Sequence, residues 1–151
     1  MSLVHGLQGI LDRYGPLTVE DDQIVAPRGW EGRWMTTIEH RLLPRGRLYV
    51  NRDLGPVLLA TLDEIAAAGI AYPIRAIGCF APRAKRGNAA QLSVHSWGLA
   101  VDINADTNAR GTPLATDMPA AWRAIWLRHG WVWGGLFPTP DPMHYQLVDG
   151  Y

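Results

Sequence analysis

Two short stretches in the second half of the chain concentrate residue types that bind metals and move protons. Residues 93–104 read SVHSWGLAVDIN and residues 141–147 read DPMHYQL. Each supplies one histidine and one aspartate: His95 with Asp102, seven residues on, and Asp141 with His144, three residues on. Imidazole nitrogens and a carboxylate oxygen are ordinary zinc donors, and a further carboxylate can serve as general base. With His95, Asp102 and His144 as ligands of one Zn²⁺, a fourth position is open to water, whose pKa falls from ~15.7 towards ~7 on such an ion. Asp141 is then placed to take the proton of that water and pass it to a leaving amine. This is the chemistry of metal-assisted amide hydrolysis. The competing reading makes His95 and His144 buried, hydrogen-bonded histidines and the aspartates caps or turn residues.

The surrounding elements bear on that choice. Asp102 interrupts an apolar strand expected over residues 99–103, and an aspartate there must be paired, hydrogen-bonded or metal-bound. Gly98 and Ala100 are small enough for chain segments to approach closely around it. His144 opens a strand pattern over residues 143–148, and Asp141 precedes it in a Pro-rich turn. His5, His40 and His129 read as structural or surface residues, His129 at a helix end where the dipole favours a cation.

Elsewhere, residues 33–38 and 47–50 read as strands joined by turn chemistry at Leu43-Pro44-Arg45-Gly46. Helical spacing predicts a helix over residues 56–68, with Asp53 at its cap and Gly69 at its end. A buried strand over residues 74–80 leads to a loop, residues 81–91, carrying Arg83, Lys85 and Arg86. A second helix is expected over residues 119–129, capped by Thr116 or Asp117 and ended by Gly130. Residues 131–133 and 143–148 are closing strands about a turn at 134–141. Residues 1–30 mix turn formers with short apolar stretches and give no clear element. Mixed order without regular βαβ alternation predicts an α+β fold with a small, largely antiparallel sheet.

Composition bounds the function. At 151 residues the chain is about one domain long, residues 1–151, and 48% hydrophobic content suits a globular core. Fourteen basic residues balance fourteen acidic ones, so no surplus of cations favours nucleic acid or an anionic membrane. No apolar run approaches the ~18–20 residues that span a bilayer, so membrane insertion is not expected. The N-terminus lacks a basic then apolar leader pattern, so no signal peptide is expected and synthesis is cytoplasmic. Cys79, the only cysteine, excludes an internal disulfide and any multi-cysteine zinc site, and reads as a small buried residue.

The double motif Ser-x-His-x-x-Gly-x-Ala-x-Asp-Ile, then Asp-x-x-His, resembles the zinc D-alanyl-D-alanine carboxypeptidase and L-alanyl-D-glutamate endopeptidase family. Ser93, His95, Gly98, Ala100, Asp102, Ile103, Asp141 and His144 carry it, with Trp133-Gly134-Gly135 upstream of Asp141. The resemblance implies the hedgehog/DD-peptidase fold, with a zinc cleft in a sheet flanked by helices, and peptidoglycan stem peptides as substrate. It makes His95, Asp102 and His144 the ligands of one zinc ion and Asp141 the base. It also implies an oxyanion-stabilising arginine upstream of the first histidine. Here the loop departs from the family's Gly-Tyr-Arg-Ser pattern, leaving Arg83 or, second, Arg86. Ser93 is expected to contact substrate or orient the loop, and Trp97 and Tyr145 to line the cleft. Aspartate as base is more like the L-Ala–D-Glu endopeptidase branch, with the D,D-carboxypeptidase branch close behind. A non-catalytic zinc module and a virion structural component are the other classes. With no leader, access to the wall is expected through a lysis pore or within a virion, as for a phage lysin.

Overall fold

In the computed structural model, residues 2–21, 23–85 and 88–151 are described. In chain order, β1 (Val4–His5) and α1 (Gly6–Tyr14) precede the antiparallel pair β2 (Thr18–Glu20) and β3 (Gln23–Val25). A short helix, α2 (Trp30–Trp34), runs into the hairpin of β4 (Met35–Glu39) and β5 (Arg47–Asn51). Then come α3 (Leu54–Ala68), β6 (Ile77–Gly78), the antiparallel pair β7 (Ala84–Lys85) and β8 (Asn88–Leu92), and β9 (Ala100–Ile103). Helix α4 (Ala120–Arg128) is followed by β10 (Val132–Trp133), β11 (His144–Gln146) and β12 (Val148–Asp149). The result is a mixed α/β architecture with small antiparallel sheets.

The sheet that matters is four-stranded, in the order β10-β11-β9-β6, with every neighbour antiparallel. Its two-residue side-chain period sorts the motif residues by face. Val101, Ile103 and Tyr145 take one face and join the core formed with Leu58, Leu62 and Ile65 of α3 and Trp122, Ile125 and Trp126 of α4. Asp102, His144 and Gln146 are the alternate residues and take the other face. The register sets His144 directly opposite Asp102 and Gln146 opposite Ala100.

Helix α3 follows from its apolar stripe, with Leu54, Leu58, Leu62 and Ile65 buried at helical spacing. Gly55 lets it sit against the β4–β5 hairpin, since a Cβ there would lie 3.1 Å from Ile38 Cγ2. Gly69 ends the helix in the left-handed region at φ +64°, as expected. Truncating Leu58 or Leu62, both fully buried, would cost about 2–5 kcal/mol.

Several elements differ from the sequence expectation. Asp53 makes no side-chain cap bond; its carboxylate instead takes hydrogen bonds from Arg13 (2.8 Å) and Tyr14 (2.8 Å). Burial raises the Asp53 carboxyl, but these bonds and the charge of Arg13 outweigh it and leave it below its usual range. The first strand starts two residues late because Trp30–Trp34 is helical, anchored by the Trp30 indole N–H on the Tyr14 carbonyl. Of residues 74–80 only Ile77–Gly78 are strand. The expected loop 81–91 instead contributes β7 and β8. Neither Thr116 nor Asp117 caps α4; Pro119 holds that position. Residues 1–30 contain α1, and β1 runs parallel to β12 from the far end of the chain.

Candidate metal centre and cleft

His95 is set by the turn that feeds β9. Val94–Trp97 form one turn of 3-10 helix, and Ser93 Oγ accepts a hydrogen bond from the His95 backbone N–H at its start. Gly98 closes the turn at φ +67°, where a Cβ would lie 2.9 Å from Met35 Cε and 3.0 Å from the Asn51 nitrogen. Only glycine fits that left-handed, crowded position. The chain thereby doubles back so that His95 meets the polar face of β9 and β11.

Three side-chain atoms converge there. Asp102 Oδ1 lies 3.1 Å from His95 Nε2 and 3.1 Å from His144 Nδ1, and the two ring nitrogens are 3.2 Å apart. The other nitrogen of each ring is already committed. His95 Nδ1–H donates to the Cys79 carbonyl oxygen at 2.7 Å, and His144 Nε2–H donates to Gln146 Oε1 at 2.8 Å. The Gln146 amide is oriented by its own N–H, which donates to the Val148 carbonyl at 2.6 Å. In its neutral form each ring therefore turns a lone pair towards Asp102. Two imidazole lone pairs and a carboxylate then share one point with no proton among them, which a cation satisfies. A tetrahedral zinc with bonds of ~2.0–2.1 Å spaces its ligand atoms ~3.3 Å apart, close to the spacing found here. His95, Asp102 and His144 thus fit a zinc ion, with the carbonyl and amide partners that fix ligand rings in metal sites.

The electrostatics agree. Burial pushes the Asp102 carboxyl upward, but hydrogen bonds and charge from His144 and His95, which act when those rings carry the extra proton, override it and hold it far below the usual range. A cation between neutral rings would supply the same positive charge. An ionised, mostly buried carboxylate requires positive charge beside it. Cys79 is different: burial pushes its thiol up to about 12, and it rests on the Gly98 carbonyl at 3.4 Å, so it is no thiolate ligand.

A cleft of about 410 Å³ opens over this cluster. His95, His144, Gln146, Ser93, Asp141 and Arg83 line it, so the expected base and the favoured arginine share the cavity with the two imidazoles of the cluster. Asp141 reaches it through a tight turn. Its backbone N–H donates to the Gly134 carbonyl at 2.8 Å, and its carbonyl accepts from His144 N–H at 3.0 Å. A Cβ on Gly134 would sit 2.4 Å from the Asp141 carbonyl oxygen, and one on Gly135 2.3 Å from the Trp133 ring. The Trp133-Gly134-Gly135 sequence is thus a steric requirement for this turn.

Arg83 places Nη2 3.5 Å from Asp102 Oδ2. Its backbone is clamped by Ser96, whose hydroxyl accepts from Arg83 N–H and donates to the Arg83 carbonyl, both at 3.0 Å. Arg86 lies outside the described residues. Trp97 and Tyr145, expected in the cleft, are not among its walls. Trp97 is buried with its indole N–H on the Gly15 carbonyl (3.0 Å). Tyr145 is fully buried with its hydroxyl on Met118 Sδ, because it alternates with His144 and must face the core. The sequence reading did not single out Gln146, Ser96, Lys85, Arg110, Phe137 or Tyr151. Gln146 was findable, since a residue two along from His144 in a strand shares its face.

Residues 86–147, which hold His95, Asp102, Asp141 and His144, match the family model described as D-alanyl-D-alanine carboxypeptidase. The match spans less than half of the chain and supports a likeness to the zinc DD-peptidase family over the segment that holds the cluster. Comparison with curated proteins and with solved structures gave no significant match. Among the described residues no helix is long and apolar enough to cross a membrane.

Proposed function

We propose that residues 1–151 form one zinc peptidase domain of the hedgehog/DD-peptidase fold that hydrolyses the L-Ala–D-Glu bond of peptidoglycan stem peptides. The observation that carries this reading is the convergence of His95 Nε2, Asp102 Oδ1 and His144 Nδ1 in a cleft also lined by Asp141 and Arg83. Zinc, when bound, acidifies a water and polarises the scissile carbonyl. His95, Asp102 and His144 hold it, with Cys79 and Gln146 keeping the two rings in the ligating tautomer. Asp141 takes the proton of the attacking water and delivers it to the departing amide nitrogen. The Arg83 guanidinium offsets the negative charge that grows on the carbonyl oxygen. Phe137 and Pro138 give the cleft an apolar side.

The choice of bond follows the family resemblance, in which an aspartate base accompanies the endopeptidase branch. The description of the matched family favours a second reading, removal of the terminal D-Ala. Delivery as a phage-type lysin fits either activity.

A digest of purified peptidoglycan by the zinc-loaded protein, analysed by mass spectrometry beside His144→Ala, tests the proposal. New ends at L-Ala and D-Glu with wild type alone support the endopeptidase. Released D-Ala identifies the carboxypeptidase. No new fragments from a stoichiometrically zinc-bound protein would leave a non-catalytic zinc module or virion component.

A further inference from the structure

Among the described residues three Lys or Arg side chains line the cleft: Arg83, Lys85 and Arg110. Two are engaged. Arg83 faces Asp102 at 3.5 Å, and Lys85 Nζ stands 4.3 Å over the Tyr151 ring. Arg110 is exposed and has no carboxylate partner among the described residues, although its guanidinium is a ready bidentate partner for one.

Its backbone is nevertheless held on both sides. Two residues earlier, the fully buried Asn108 donates through Nδ2 to the Tyr72 hydroxyl (3.0 Å), the Asn104 carbonyl (3.0 Å) and Asp117 Oδ1 (2.9 Å). Its Oδ1 accepts from Thr116 Oγ1 at 2.5 Å. The Asn108 carbonyl then accepts from Met143 N–H (3.2 Å), and Gly111 N–H donates to the Pro140 carbonyl (2.8 Å). Arg110 is thus fixed to the same turn that carries Asp141. A charged group on a buried polar scaffold at a cleft wall has the features of a recognition element rather than a solvated loop cation.

Resting on the peptidase reading, we infer that Arg110 is a specificity-determining residue that binds a free α-carboxylate on the residue leaving with the scissile nitrogen. That carboxylate lies two bonds from the nitrogen to which Asp141 delivers its proton, which suits an anion site tied to the Asp141 turn. The same chemistry arises from two sources. In a γ-linked D-Glu the α-carboxylate is free, and in a terminal D-Ala it is the chain end. A wall whose D-Glu carries an α-amide lacks the group, so amidation protects it.

The test uses two matched peptide pairs: L-Ala–γ-D-Glu peptides with α-carboxylate or α-amide, and D-Ala–D-Ala peptides with free or amidated ends. Wild type, Arg110→Gln and Arg110→Lys are compared by kcat/KM and, in an Asp141→Asn background, by calorimetric Kd. Thermal melts and zinc content confirm that each variant is folded. Wild type should prefer one carboxylate over its amide by roughly tenfold or more in kcat/KM and Kd. Arg110→Gln should collapse that ratio to about one to threefold, with Arg110→Lys in between. The pair that responds identifies the source. A wild type indifferent to amidation, or a preference that survives Arg110→Gln, overturns the inference and leaves the peptidase reading intact. Carboxylate binding that depends on Arg110 without cleavage sinks the peptidase reading and keeps the site. Neither binding nor cleavage removes both.

Discussion

The floor and the rim of the cleft are built on different principles. On the floor, the imidazoles of His95 and His144 are held from behind by a second acceptor, Cys79 carbonyl or Gln146 amide, and the strands set the spacing. On the rim, Arg83, Arg110 and Asp141 are placed through their backbones, by Ser96, by Asn108 and by the Gly134 contact. Metal ligation needs ligand atoms at fixed separations within tenths of an ångström, and side-chain orientation must be frozen to supply that. A group that meets a substrate needs its base fixed and its tip free to adapt.

The difference can be broken most severely at the floor. Asp102→Ala should abolish stoichiometric zinc and all hydrolysis, as metal analysis and the peptidoglycan digest would show; retained zinc would discard the ligand set. On the rim, Gly134→Ala forces a 2.4 Å contact with the Asp141 carbonyl and a 3.0 Å contact with His144 Cβ, and should lower kcat on the order of 100-fold with a smaller loss of zinc affinity. Gln146→Leu frees the His144 ring and should weaken zinc affinity by about 10–100-fold in chelator competition. Ser96→Ala unclamps Arg83; kcat should fall by roughly tenfold while zinc affinity stays, and an equal loss of zinc would blur the two regions.

The smallest effect lies outside both. Asp53→Asn removes the negative charge that Arg13 and Tyr14 share and leaves only a neutral amide oxygen, and should cost about 1 kcal/mol at neutral pH in denaturant melts. The folded Asp53 carboxyl sits below its usual range, so its contribution is present above that range and lost as pH falls through the folded value. The wild-type and Asp53→Asn curves should therefore converge in acid.

The floor was the legible part. An aspartate inside an apolar strand and a histidine heading another are local anomalies, and the two-residue period that pairs them is written in the residues themselves. The same period assigns Tyr145 to the core, where it is fully buried, although its place beside His144 in the motif suggests the cleft. Trp97 misleads differently: its partner is Gly15, 82 residues away. Arg110 could not be recognised, because what makes it more than a loop cation is Asn108 bonded to Tyr72, 36 residues earlier. The β7–β8 pair read as a loop since neither strand has an apolar face long enough to announce itself.

The parallel pairing of β1 with β12 bears on timing. Val4 is zipped to Val148, whose carbonyl orients Gln146, which in turn holds His144. During synthesis His95 and Asp102 emerge well before His144, so a nascent chain offers only two of the three candidate ligands. The finished site waits for segments 144 positions apart in sequence to meet, a closure of the kind that folds slowly. In a protein arranged this way the candidate site is completed near the end of folding rather than during it.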